Sequence, residues 1–180
     1  MSTQERSDAK QADAPGARPE SSARHGGVGT RAPDFTLRTQ DGDTFRLGDV
    51  LGTREIVLYF YPKDNTRGCT AEACAFRDSY EVFREAGAEV IGISADSEAS
   101  HHAFAERHHL PFTLLSDPHG AVRKRYGVRA LLGVMPGRVT FIIDRDGIIR
   151  HTFSSQLNIR KHIDEALATI RGLQAAGRDE

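Results

Sequence analysis

The run Ile56-Val57-Leu58-Tyr59-Phe60-Tyr61 constrains this chain more than any other segment. It offers apolar side chains to both sides in turn, and Pro62 ends it. A short continuous apolar run of this kind reads as a strand buried on both faces, so something must cover each side of the sheet. Val90-Ile91-Gly92-Ile93 repeats the pattern. Between the two, residues 70–86 read as a helix with Gly87 as its stop. Asp96 is placed to cap a helix running to about His108, and residues 112–115 form a further strand. Asp117-Pro118 opens another helix that Gly127 closes. Residues 34–45 alternate around Gln40-Asp41-Gly42-Asp43, and residues 140–143 face 148–153 across Asp144-Arg145-Asp146-Gly147. Both read as hairpins. A last helix from about Asn158 carries Ile163, Ala166, Leu167, Ile170 and Leu173 on one face. The order predicts an α/β domain with a mixed central sheet, helices on both faces and an N-terminal β-hairpin. In such sheets the site lies beyond the carboxyl ends of the central strands, where the segment after Pro62 leaves.

One domain suits 180 residues. Residues 1–28 are rich in Gln, Ser, Ala, Gly and Pro, and Val28 is their only large aliphatic after Met1. They cannot bury enough apolar surface to offset chain entropy and are expected to form a disordered tail. The domain is expected to span 29–176, with a short tail over 177–180. A formal net charge of −1 gives no basis for nucleic-acid binding or an anionic membrane surface. No apolar run has transmembrane length. The first residues lack an apolar h-region, and Glu5, Asp8, Asp13 and Glu20 do not suit a transit peptide, so a cytoplasmic location is expected. A disulfide in that compartment is usually transient and catalytic.

The two cysteines, Cys69 and Cys74, fall where the strand hands over to the helix. A thiol at a helix start is biased toward thiolate by unpaired amides and the positive dipole end. On a helix, Cys69, Ala73, Phe76, Tyr80 and Phe83 follow spacings of 4, 3, 4 and 3 and share the apolar face. Cys74 lies with Arg77, Asp78 and Glu81 on a polar one. Five residues of helix separate two Cα atoms by roughly 8.5 Å, and a disulfide tolerates at most about 7 Å. A bond between these cysteines therefore requires the first helical turns to unwind, with Gly68 helping as a hinge.

Two thiols without a histidine at metal-type spacing do not make a zinc site, and no Cys-x-x-Cys is present. His101, His102, His108 and His109 are read as solvated helix residues and not as metal ligands. Lys63 and Arg77 are expected to be solvated or paired with Asp64 and Asp78. Glu72 in the first turn is accounted for by the helix dipole.

Pro62-x-x-x-Thr66-x-x-Cys69 resembles the peroxiredoxin active-site signature. The wider run from Tyr61 to Asp78 is similar to the bacterioferritin-comigratory, or peroxiredoxin Q, subfamily. Ala32-Pro33-Asp34-Phe35, Leu114-Leu115-Ser116-Asp117 and residues 138–144 support it. The resemblance, over about 28–172, implies a thioredoxin-like fold and a thiol peroxidase that reduces hydrogen peroxide and organic hydroperoxides in antioxidant defence. It implies Cys69 as the peroxidatic cysteine, oxidised to a sulfenic acid, and Cys74 as the resolving cysteine of an intramolecular disulfide. Thioredoxin or a similar dithiol protein would recycle it. No metal or organic cofactor is implied. Thr66 would hydrogen-bond the thiolate or the peroxide, Arg138 would sit beside the sulfur, and Pro62 would shield it. An intramolecular resolving cysteine favours a monomer, with a dimer allowed. Where the family commonly has proline before the Gly-Cys pair this chain has Arg67, which removes a φ restraint and adds a cation.

Two other readings were weighed. A glutathione peroxidase relative would use Trp and Gln near the thiol. This chain has no Trp, and its Gln residues at 4, 11, 40, 156 and 174 lie away from Cys69 in sequence. A thioredoxin-fold binding or chaperone module with incidental thiols would require Cys69→Ser to leave the activity unchanged.

Overall fold

A central strand that is apolar on both faces needs two cores, and the fold supplies them. The computed structural model describes residues 26–128 and 137–176. Of the expected tails over 1–28 and 177–180, residues 1–25 and 177–180 lie outside the described residues. Gly26 lies against the Tyr126 backbone, the Gly27 carbonyl accepts from the Thr30 hydroxyl at 2.6 Å, and Val28 is 61% exposed.

The elements run β1 (Thr36–Thr39), β2 (Thr44–Arg46), α1 (Leu47–Val50), β3 (Glu55–Phe60), α2 (Arg67–Asp78), α3 (Tyr80–Glu85) and β4 (Ala88–Ser94). They continue α4 (Glu98–His108), β5 (Thr113–Ser116), α5 (Ala121–Arg125), β6 (Val139–Ile143), β7 (Ile149–Ser154) and α6 (Ile159–Ala176). One mixed sheet has the order β2-β1-β5-β4-β3-β6-β7. The pairs β3–β4 and β4–β5 are parallel, and β3–β6 is antiparallel. The expected α/β architecture and both hairpins are present.

Strand alternation divides the core. Val57 and Tyr59 of β3, Val90 of β4, Leu114 of β5 and Ile142 of β6 face the larger helices α2, α3, α4 and α6. Ile56, Leu58 and Phe60, Ile91 and Ile93, Leu115, and Phe141 and Ile143 face the short α1 and α5 on the other side. A Cβ on Gly92 would meet the Tyr59 ring at 2.7 Å, so the strand glycine makes room for that ring beneath α2. Tyr59 stacks on Phe76 of α2 at 4.6 Å between centroids.

Four local expectations change. The first long helix starts at Arg67, before Thr70, and breaks at Ser79 into α2 and α3. Ser79 has φ −103° and ψ 1°, and serine's weak helix preference tolerates the interruption. Ser97, not Asp96, caps α4, its side chain accepting from the Ser100 amide. Asp96 instead accepts from the Ser94 hydroxyl and the Asp64 amide. Pro118 is not the first residue of α5: the Asp117 carboxylate reaches past Gly120, at φ +63°, to the amides of Val122 and Arg123. The short α1 was not foreseen.

Candidate active site

The site forms where β3 ends. Arg123 of α5 donates to the Tyr61 carbonyl at 2.6 Å and to the Gly137 carbonyl at 2.8 Å. One guanidinium thus ties the residue before Pro62 to the residue before Arg138. Asn65 then takes φ 59°, the left-handed region asparagine tolerates, and turns the chain into α2.

Asp64 anchors this loop. It is buried, accepting from the Tyr61 hydroxyl at 2.7 Å and the Ser100 hydroxyl at 2.8 Å, and it lies 2.9 Å from Nδ1 of His101. Of the two alternatives for Lys63 the solvated one holds: it is exposed, because Asp64 points inward. His101 is fully buried, not solvated, with Nε2 3.2 Å from the Leu115 carbonyl. The ring and its hydrogen-bonded partners hold the Asp64 carboxyl below its usual value, although burial alone would raise it. The Arg77–Asp78 pair is present at 2.8 Å. Among the described residues no group of three or more His, Cys, Asp or Glu side chains is placed to hold a metal ion.

Thr66 is the N-cap of α2 and its hydroxyl accepts from the Cys69 amide at 3.4 Å. Cys69 is the third residue of the helix and only 2% exposed. Arg138 precedes β6, the strand beside β3, and its Nη2 donates to Cys69 Sγ at 3.4 Å. Its Nη1 pairs with Glu72, which is completely buried one turn along α2. Burial pushes the Glu72 carboxyl up to about 7, against the downward pull of Arg138. Burial would lower Arg138, but Glu72 and Cys69 beside it hold the guanidinium above its ordinary value. Burial lowers Arg123, which Asp117 and Cys69 partly offset.

Thr66, Cys69 and Arg138 therefore converge as expected, with Pro62 half-buried at the start of the same loop. Cys74 does not join them. It is half-buried, and both cysteines are free thiols. Five residues along an intact helix put it about 140° around from Cys69. Arg67 is exposed at the first position of α2. His162 and Arg123 are not among the expected site residues, and Glu72 is expected only as a first-turn acid that also places a negative charge near the thiolate. Glu72 corrects the dipole account: at i+3 from Cys69 it lies on the apolar face with Ala73 and Phe76, and a charge inside such a stripe was the available signal. His162 sits four residues before Ala166 on the buried face of α6. For Arg123 the sequence offers no signal.

This arrangement stabilises negative charge at one sulfur. A cap, helix amides and a buried guanidinium face it, and bulk water is excluded. A second acceptor entering beside the sulfur would meet the same donors.

The AhpC/TSA family model matches residues 28–152. The chloroplastic peroxiredoxin Q of Triticum aestivum is 52% identical over 146 residues, covering 81% of this chain and 67% of that protein. That of Sedum lineare is 50% identical over 147 residues, covering 81% and 78%. Among solved structures, peroxidoxin BcpB of Mycobacterium tuberculosis superposes with TM-score 0.75 at 41% identity, over 81% of this chain and 96% of that one. The bacterioferritin comigratory protein of Xanthomonas campestris, described for alkyl peroxide reduction activity, gives 0.71 at 30% identity, over 77% and 90%.

Proposed function

The chain belongs to the AhpC/TSA family and is a thiol peroxidase of peroxiredoxin Q type with a thioredoxin-like fold, and on that premise we propose the residues that carry its chemistry. Cys69 is the peroxidatic cysteine. Its thiolate attacks one peroxide oxygen, the O–O bond breaks, an S–O bond forms, and the leaving oxygen takes a proton to become water or an alcohol. Cys74 is the resolving cysteine. Its thiol condenses with the Cys69 sulfenic acid, releasing water and closing the disulfide. A thioredoxin-type dithiol then returns both sulfurs to thiols by exchange.

The observation that carries this reading is the 3.4 Å contact from Arg138 Nη2 to Cys69 Sγ at the start of α2. A buried guanidinium there stabilises the attacking thiolate and the charge that develops on the leaving oxygen. Thr66 fixes the first turn, and Pro62 limits water at its edge. Hydrogen peroxide and organic hydroperoxides are both proposed substrates. The protein acts as a monomer in this account, because resolution needs no second subunit. The cytoplasm is the compartment we propose, and two free thiols suit its reducing conditions.

The test follows NADPH loss with thioredoxin, its reductase and hydrogen peroxide. Wild type should turn over, and Cys69→Ser should be inactive. Turnover by Cys69→Ser equal to wild type would overturn the reading and favour a binding module with incidental thiols.

A further inference from the structure

His162 is buried beside the reactive cluster, and the chemistry above gives it no task. Its ring has no exposure. Nε2 lies 2.9 Å from the Ser155 carbonyl, which can only accept, so Nε2 carries the ring proton. Nδ1 is then an acceptor, and the Thr140 hydroxyl donates to it at 2.8 Å. The same Nδ1 lies 3.9 Å from Oε1 of Glu72. That oxygen is buried and has no hydrogen-bond partner among the described residues, because Arg138 engages Oε2. The Thr140 hydroxyl fills the one lone pair of Nδ1, so the ring offers Oε1 neither a proton nor a free acceptor, and 3.9 Å is too long for a hydrogen bond between them.

The buried charges are out of balance by one. With Cys69 as thiolate and Glu72 and Asp117 as carboxylates, three anions face the two guanidinium groups of Arg138 and Arg123. Uncompensated charge at zero exposure is costly. The remaining neighbours do not correct it. Tyr59 of β3 stays a neutral phenol, since burial holds it well above its ordinary value. Arg123 of α5 faces Asp117 as well as Cys69 and is held by two carbonyls, so it leaves one anion uncompensated. Asp64 and His101 satisfy each other across the loop and α4. Phe153 of β7 presents only its ring edge to His162, and His151 is directed to Glu165 at 3.1 Å. Burial lowers His162, so an extra proton resides on the carboxyl and not on the ring.

Resting on the peroxidase reading, we propose that Glu72, which shares the Arg138 guanidinium with Cys69, is a neutral carboxylic acid while Cys69 is ionised, and that it returns to carboxylate when the sulfur loses its charge. Arg138 then exchanges one anionic partner for the other. The proton count closes. Thiolate, hydroperoxide and one proton give sulfenic acid and alcohol, with two electrons passing from sulfur to the peroxide. The leaving oxygen takes one proton, and Glu72 returns one to solvent. His162 takes no part in the exchange, since Ser155 and Thr140 already satisfy both of its ring nitrogens.

The test is infrared difference spectroscopy of the reduced full-length protein at pH 7, reading the carbonyl stretch of a protonated carboxyl, with dimedone labelling of Cys69 in peroxide-treated Cys74→Ser, where nothing resolves the sulfenic acid. Wild type should show one such band, missing in Glu72→Gln and lost in Cys69→Ser, whose hydroxyl stays neutral. If Cys69 captures peroxide yet no band is assignable to Glu72, or the band survives unchanged in Cys69→Ser, this inference falls and the peroxidase reading stands. If dimedone never labels Cys69, the peroxidase reading itself falls and takes this inference with it.

Discussion

Arg138 and Cys69, 69 residues apart in sequence, meet at 3.4 Å because β6 pairs with β3 and the chain leaving β3 turns directly into α2. The same Nη2 atom would lie 3.1 Å from a Cβ placed on Gly68. The backbone just ahead of the sulfur and the guanidinium facing it are therefore in close contact, and each consequence below follows from that contact or from its buried surroundings.

Gly68→Ala should separate catalysis from stability. Alanine is the better helix residue, so the fold should be unchanged or steadier by about 0.5 kcal/mol. The added methyl must push Arg138 aside by a few tenths of an ångström, and the rate with peroxide should fall roughly tenfold to a hundredfold. Stopped-flow peroxide reduction and urea unfolding on one preparation check both halves.

Arg138→Lys keeps the charge but loses the fork that engages Glu72 and Cys69 together. Its kcat/KM for peroxide should drop about a hundredfold. Arg138→Ala should lose at least as much activity and, at alkaline pH where Glu72 is ionised, also about 3–5 kcal/mol of stability, because the carboxylate is left buried without its cation. Equal stability of the two variants would show that the ion pair is not what holds Glu72 in place.

Closing the disulfide must open α2. Cys69 and Cys74 are separated by five residues of intact helix, about 8.5 Å between Cα atoms, beyond the roughly 7 Å a disulfide spans. Oxidation by one equivalent of peroxide should raise amide exchange across residues 67–75 and reduce far-ultraviolet helicity, with thioredoxin-type reduction restoring both. An oxidised crystal with the bond formed and α2 undisturbed would refute the unwinding.

Stability should carry the imprint of Glu72. Its carboxyl titrates near 4.5 when unfolded and is raised to about 7 in the fold. A raised carboxyl stabilises the fold fully below its unfolded value, and that contribution is lost as pH rises from about 4.5 through about 7. Relative to Glu72→Gln, wild type should lose on the order of 3 kcal/mol across that window. Urea unfolding at several pH values measures the difference, and parallel curves for the two proteins would contradict it.

Much of this was legible in the chain. The run 56–61 demanded cover on two faces, and the Asp-Gly turns announced both hairpins. Thr66 and Cys69 are local to one turn, so spacing alone brings them together. What stayed hidden depends on distance. Arg123 reaches two carbonyls across the sheet edge, His101 looks like one more surface histidine until α4 turns it onto Asp64, and Glu72 looks like an ordinary first-turn acid until β6 supplies Arg138. Long side chains from other elements create these contacts, and no short window of sequence contains both partners.

The most direct test of the central claim is single-turnover peroxide consumption, followed by sulfenic acid trapping and mass mapping, in Cys74→Ser and Cys69→Ser. Cys74→Ser should consume about one equivalent of hydrogen peroxide per chain and carry the trapped adduct on Cys69, since nothing remains to resolve it. Cys69→Ser should consume none above the buffer rate. A Cys69→Ser protein that destroys peroxide as fast as the other, or an adduct found on any residue but Cys69, would contradict the account.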